Sequence, residues 1–338
     1  MSLISNLFDQ QSANLVEELT SRMGEVEAQL RLAVQVDDLV VDEATSHLAK
    51  AGGKRLRPAL CLLTAQLGPR PASPDVLDSA VVVELTHLAT LYHDDVMDEA
   101  PLRRGVPSAQ YVYGNSSAIL AGDVLFARAS GIVAKLGPEA VLLHAETFER
   151  LCMGQLHETI GPREGEDPIQ HHIQVLADKT GSLIAASGRY GVLYSGGDPA
   201  LAEEIAQFGD KVGVAFQIAD DVIDLVSDPE VTGKTPGTDL LEGVPTMPTL
   251  LLRKHAAEGT LDETGQRILT FLDHTDLTEG NNLDTVVELL RNHSVVDETR
   301  TLAHQWVNDA LTHLSAIPQG PVRNALETFA RAMVDRLA

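Results

Sequence analysis

Apolar positions along the chain recur at steps of three and four, so helix signals repeat and strand signals do not. The stretch "SPDVLDSAVVVELTHLATLYHDDVMD" opens with Ser73 as a candidate N-cap and Pro74 at the first helical position. Val81, Val82 and Val83 would suit a strand, but the apolar pattern runs on without a turn and predicts helix. "DPALAEEIAQFGDKVGVAFQIADDVIDLVSDP" repeats that opening with Asp198 and Pro199. Its Ile205, Phe208, Val212, Ala215, Ala219, Val222 and Val226 form one stripe, and Pro229 ends it, because the residue before a proline avoids the helical region. Further helices are expected over 11–33, 37–51, 55–67, 116–135, 138–160, 169–195, 246–257, 263–272, 283–292, 296–315 and 320–337. Breaks fall at "LGPRPASP", "PLRRGVP", "LGPE", "IGPREGEDP" and "SGGDP", and the polar "SDPEVTGKTPGTDLLEGVP" predicts a loop. The expectation is an all-α protein with one domain over residues 1–338.

Composition narrows the class. Aromatic residues make up 4% of the chain against 44% hydrophobic, so the core must be aliphatic. The 49 acidic and 25 basic side chains give a net charge of −24, which argues against a nucleic-acid partner and fits a cytoplasmic protein. Cys61 and Cys152 lie in apolar helical stretches and read as structural thiols in a reducing compartment. The N-terminal "MSLISNLFDQQSANL" lacks the basic-then-apolar order of a signal peptide. No window reads as the roughly 18 uncharged apolar residues that a membrane span needs.

Against this background two acidic clusters stand out. Asp94 and Asp98 share a helix face, with Asp95 beside them; Asp220 and Asp224 repeat the spacing, with Asp221 adjacent. Like charges at this spacing, placed at helix C-termini, oppose both each other and the macrodipole. One such cluster is ordinarily a solvated helix end, but two matched clusters favour a bound cation. An all-oxygen ligand set suits magnesium, which keeps waters and shares its coordination with phosphates.

Basic residues are interleaved with the carboxylates. "AGGKRLRP" brings Gly52, Gly53, Lys54, Arg55 and Arg57 together; Arg103 and Arg104 follow the first cluster; Lys179 and Thr180 sit in "DKTGSL", and Lys234 in "TGKTPG". Glycine lets backbone N–H groups approach a phosphate, and Lys and Arg supply the charge. His87, seven residues before Asp94, is open to two readings, a satisfied core histidine or a phosphate contact. His171 and His172 are neighbours that cannot share a helix face and are read as surface residues.

With these motifs assembled, the chain resembles the trans-isoprenyl diphosphate synthases, the polyprenyl synthetase family. The matching segments run from "GGKRLRP" through "HDDVMDEAPLRRG", "AGDVLFARA", "GQLHE", "KTGSL" and "FQIADDVID" to "TGK" and "PTMP", covering residues 37 to about 250. The resemblance implies an all-α bundle of about a dozen helices around a central cavity, a homodimer, and magnesium, three ions per active site. It implies that Asp94, Asp98 and Asp220 ligate the metal, while Asp95, Asp221 and Asp224 hold metal-bound waters or support that shell. By the same resemblance Arg103, Lys179, Thr180, Gln217 and Lys234 contact the allylic diphosphate, and Phe216 is a further substrate-binding position. Gly53, Lys54, Arg57, His87 and Arg104 bind isopentenyl diphosphate, and Gln155 and Glu158 match inward-facing polar positions. The implied reaction condenses isopentenyl diphosphate head-to-tail with farnesyl or geranylgeranyl diphosphate, without a side-chain base.

Product length is read from the helix that ends at Asp94. One helical turn rises roughly 5.4 Å, close to one isoprene unit. Thr90 and Ala89 form a first tier of small residues, where short-chain members of the family carry bulky ones. Leu85, Thr86 and Val82 form deeper tiers, and Leu125 and Phe126 are floor candidates. The open first tier favours a C30 to C50 product; the alternatives are a geranylgeranyl diphosphate synthase, or a non-catalytic subunit of a heteromeric synthase. The intact pair of aspartate motifs argues against the last.

Overall fold

The computed structural model describes residues 13–226 and 236–335, about 79% of them helical and almost none in strands. They pack as two compact units. The first contains residues 13–149, 183–209 and 313–328, and the second residues 150–182, 210–226, 236–312 and 329–335.

In the first unit, α1 (Ala13–Val34), α2 (Leu39–Lys50) and α3 (Leu56–Ala65) surround α4 (Pro74–Met97). Ser73 caps α4 by accepting the Asp75 N–H at 3.2 Å, as its sequence predicts. The three valines lie mid-helix and are all buried, because α4 is apolar around most of its girth. Tyr92 locks α2 onto α4: its hydroxyl donates to the Ala44 carbonyl at 2.5 Å and accepts the Leu48 N–H at 3.2 Å.

The break "PLRRGVP" folds as a small hairpin in which β1 (Leu102–Arg103) pairs antiparallel with β2 (Val106–Pro107). Arg104 and Gly105, at the turn, have φ of 55° and 78°, the two positive values that a tight type I′ turn requires. The short α5 (Ala109–Tyr113) leads into α6 (Asn115–Leu136), which packs along α4. Their close approach depends on Gly122, since a methyl group there would stand 2.4 Å from His93 Nε2.

By length and composition α6 is apolar enough to cross a membrane, with a mean hydropathy of 1.5 over its best window, although its charged residues keep it from being the uncharged stretch named in the sequence expectation. The helix carries Asp123 and Arg128 and uses Ala118, Ala121, Leu125 and Ala129 as a buried face within the first unit.

α7 (Pro138–Ile160) continues from the first unit into the second. The helix expected over 169–195 is interrupted: α8 (Pro168–Leu176) passes into a π-turn at Ala177–Gly181 before α9 (Ser182–Tyr194) resumes. α10 (Pro199–Val226) then runs 28 residues. Beyond it come α11 (Thr238–Leu241), α12 (Met247–Glu258), α13 (Glu263–His274), α14 (Asn282–Arg291), α15 (Ser294–Thr312) and α16 (Pro321–Val334). α12 starts at a capping box made by Thr246 and Thr249, and its base packs on α15.

Candidate active site

The first unit gathers four guanidinium groups near the C-terminal end of α4. The loop that carries them turns on Gly52 and Gly53, with φ of 84° and 144°, and on Arg55 at 51°. Arg55 is buried and held in this left-handed conformation by ion pairs to Glu27 (2.6 Å) and Glu84 (2.7 Å). Arg104 donates to the Gly52 and Leu48 carbonyls, and its guanidinium lies over Gly53, where a side chain would strike Cζ at 2.9 Å. Arg57 has a buried Nε with no hydrogen-bond partner among the described residues, and burial, against the attraction of Glu84, lowers its pKa to about 10. Lys54 is exposed.

His87 is half-buried beside this collar, and desolvation, then Arg57, Arg104, Arg55 and Arg103 in turn, push its pKa well below the ordinary imidazole value. It is therefore a neutral imidazole, able to donate or accept one hydrogen bond.

The aspartates that close α4 divide by burial. Asp94 is half-buried, and Asp98 is the exposed C-cap, its N–H bonded to the Asp94 carbonyl at 2.8 Å. Asp95 is fully buried and receives Arg103 Nε at 2.5 Å, while its second oxygen, Oδ2, has no hydrogen-bond partner among the described residues. Burial raises the Asp95 pKa, and Arg103 opposes that shift.

In the second unit, Asp221 is buried and accepts the Met247 N–H at 2.8 Å and His172 Nε2 at 3.1 Å. His172 is thus half-buried at the second aspartate cluster, which corrects its reading as a surface residue; the bond to Asp221 recruits it. His171 is half-buried as well, against the His157 carbonyl at 3.1 Å. Asp220, Phe216 and Gln217 are half-buried on α10. Asp224 accepts the Gly237 N–H on its carbonyl at 2.9 Å, and its carboxylate accepts that of Asp239 at 3.4 Å. Lys179 is paired with Glu158, and Thr180 is buried in the π-turn. Gln155 Oε1 is buried without a hydrogen-bond partner among the described residues. Lys234 lies outside the described residues.

A metal requirement can be tested against this chemistry. Among the described residues no three His, Cys, Asp or Glu side chains form a ready-made cage. An ion held at Asp94 and Asp98, or at Asp220, would take most of its shell from water and substrate oxygens. Magnesium does so by habit, and the buried Asp95 Oδ2, unpartnered among the described residues, offers a further acceptor beside the first pair. The carboxylate set fits.

The sequence pattern of the family described as Polyprenyl synthetase matches residues 38–294. The chain belongs to the polyprenyl synthetase family. Membership brings the activity class, prenyl transfer. The chain is 43% identical, over 88% of each protein, to a nonaprenyl diphosphate synthase of Mycobacterium tuberculosis. It also superposes, with a TM-score of 0.84 and 38% identity, on a geranylgeranyl pyrophosphate synthase from Corynebacterium glutamicum crystallised with calcium and isoprenyl diphosphate, covering 98% and 99% of the two chains. A decaprenyl diphosphate synthase from Rhodobacter capsulatus gives 0.84 at 30% identity, over 96% and 99%. The family match reaches past the residue, near 250, at which the motifs stop being readable.

Within this polyprenyl synthetase the expected length-setting residues form an apolar run on α4. Val82, Leu85, Thr86 and Ala89 are buried and Thr90 half-buried. Both threonines turn their hydroxyls back onto α4 carbonyls, Thr86 to Val82 at 2.8 Å and Thr90 to His87 at 2.9 Å. Leu125 is buried; Phe126 stacks between Phe148, 3.9 Å away, and His144, 5.1 Å away. Glu84, Glu27 and His172 were missed as supporting residues. A glutamate in the middle of the apolar stretch "AVVVELTHLA" was the available signal for Glu84, because a buried carboxylate needs a cation.

Proposed function

We propose that this polyprenyl synthetase joins isopentenyl diphosphate to farnesyl or geranylgeranyl diphosphate, head-to-tail, and makes a trans polyprenyl diphosphate of C30 to C50. One observation carries the reading: in a chain of net charge −24, four arginines bear together on His87, directly upstream of the Asp94–Asp98 pair. Such a concentration of cations is a site for polyanions, and the adjacent carboxylates would be repelled by a diphosphate unless divalent cations bridged them.

In this reading Asp94, Asp98 and Asp220 take up magnesium, and Asp221 and Asp224 orient the cluster around Asp220. Asp95 fixes Arg103, which holds the allylic diphosphate together with Lys179, Thr180, Gln217 and Lys234. Arg57, Arg104, Lys54 and neutral His87 hold isopentenyl diphosphate over Gly53. When bound, magnesium neutralises charge on the departing diphosphate, so the allylic carbon–oxygen bond ionises. Apolar side chains on α4 would keep water from the cation, and the released diphosphate would take the proton. Ile119 and Leu120 on α6, and Val141 and Leu142 on α7, are exposed apolar side chains that a second copy would cover in a cytoplasmic homodimer.

The test is to incubate the purified chain with Mg2+, farnesyl diphosphate and labelled isopentenyl diphosphate and to chromatograph the dephosphorylated products. A ladder ending between C30 and C50 is expected. A product that stops at C20 would favour a geranylgeranyl diphosphate synthase, and no product would overturn the reading.

A further inference from the structure

The π-turn at Ala177–Gly181 is anchored from both neighbouring helices. It closes with the Ser182 N–H on the Ala177 carbonyl, a five-residue step in place of the usual four. Such turns are rare, persist where surroundings enforce them, and concentrate at functional sites. The enforcement here is visible. Arg150, on α7, donates Nε to Asp178 Oδ1 at 2.7 Å and Nη2 to the Ala177 carbonyl at 3.3 Å and to Asp210 Oδ1, on α10, at 2.9 Å. Gln174 holds the other Asp178 oxygen at 2.8 Å, and Ser182 Oγ donates to the Asp178 carbonyl at 2.6 Å.

Glycines complete the seat. A methyl group at Gly154 would stand 2.8 Å from Lys179 N, one at Gly181 2.8 Å from the Asp210 carbonyl, and one at Gly213 2.4 Å from Gly181 Cα. The turn is therefore pressed between α7 and α10 and bolted to both by one guanidinium.

We propose that Arg150 is a positioning residue for the allylic substrate: by clamping the π-turn to α7 and α10 it sets the register in which Lys179 and Thr180 meet the diphosphate. This rests on the reading, above, that those two residues contact that group. The register is sensitive because a π-turn holds one residue more than an α-turn. Relaxation to α-helix would rotate the following side chains by about 100°, the angular step of one residue at 3.6 per turn. A charge-only role would be met by lysine; the three-acceptor geometry, from two nitrogens of a planar fork, is specific to arginine.

The experiment uses the full-length chain with each substrate varied in turn. Arg150→Gln is expected to lower kcat/KM for the allylic diphosphate by about 10- to 100-fold, the scale of misplacing a binding group by an ångström, and to leave KM for isopentenyl diphosphate within about twofold. Arg150→Lys is expected between the parent and Arg150→Gln, and Arg150→Gln with Lys179→Ala is expected to lose less than the two single losses combined, Thr180 accounting for the remainder. Equal losses for both substrates, or additive losses in the double variant, would overturn the proposal. If Arg150→Gln does not fold, Arg150→Lys is judged by the same split. An unchanged allylic kcat/KM in Lys179→Ala alone would instead overturn the reading of Lys179, and this proposal with it.

Discussion

Arg55 and Glu84 meet at 2.7 Å inside the first unit, with both side chains almost wholly removed from solvent. Glu84 also attracts Arg57 and lies 3.9 Å from Arg104, so one carboxylate offsets much of the cationic collar. Removing its charge leaves Arg55 with the Glu27 carboxylate and the Gly52 and Ala49 carbonyls. Glu84→Gln is expected to cost about 3 kcal/mol of stability, the lower end of the range for breaking a buried pair. It should also raise KM for isopentenyl diphosphate, because the glycine loop loses its anchor. Denaturant titration and substrate kinetics measure both; an unchanged midpoint would remove Glu84 from the scaffold.

The depressed pKa of His87 has a definite sign in stability. Unfolded, the imidazole titrates near its ordinary 6.5; folded, it stays neutral well below that. As pH falls through about 6.5 the unfolded chain therefore takes up a proton that the folded chain refuses. His87 removes stability on the acid side with a limiting slope of about 1.4 kcal/mol per pH unit, and contributes no slope above. His87→Gln should have a flatter stability curve between about pH 6.5 and pH 5 than the parent, compared by urea unfolding. Other titrating groups are common to both proteins, so parallel curves would contradict the assignment.

The neighbours Asp94 and Asp95 should fail in different ways. Asp94 is half-buried, whereas Asp95 is buried under Arg103, whose side chain is 26% exposed. Asp94→Asn is expected to raise the Mg2+ concentration needed for half-maximal turnover. Asp95→Asn is expected to lower the unfolding free energy by about 1–2 kcal/mol, less than a wholly buried pair because Arg103 keeps some water. Chelation with EDTA should abolish turnover in the parent, and Mg2+ should restore it. Exchanged phenotypes would reverse the two roles.

Helix positions and the aspartate motifs were legible because they are local. The 3.6-residue periodicity, Ser73 and Pro74 mark α4 within one window, and the i, i+4 carboxylates need no tertiary context. What was not legible depends on distant partners. The π-turn is invisible because Ala177–Gly181 carries an ordinary helical pattern; Arg150 and Asp210, 27 and 33 residues from Ala177 and Ala177's neighbours, enforce it. His172 was misread because its partner lies 49 residues away on α10. The hairpin at 102–107 was missed because arginine is an unusual occupant of the first left-handed turn position, which its packing against Gly53 stabilises.

Ala89 has two possible duties, which one substitution separates. It is 1% exposed, and a methyl group at Gly122 would stand 3.1 Å from its carbonyl, so α6 passes close to this turn of α4. If the growing chain runs past Ala89, a phenyl ring there blocks the path about one isoprene length from Asp94, since a helical turn rises about 5.4 Å. Ala89→Phe should then shorten the product by several isoprene units while early condensations proceed at near-parental rate. If Ala89 only packs against neighbouring helices, the ring overfills the seam, costing about 1–3 kcal/mol with no change in the chain-length ladder. Product chromatography beside a melting curve distinguishes the two outcomes. A lowered melting temperature with an unchanged ladder would assign Ala89 to the core and leave product length to other positions.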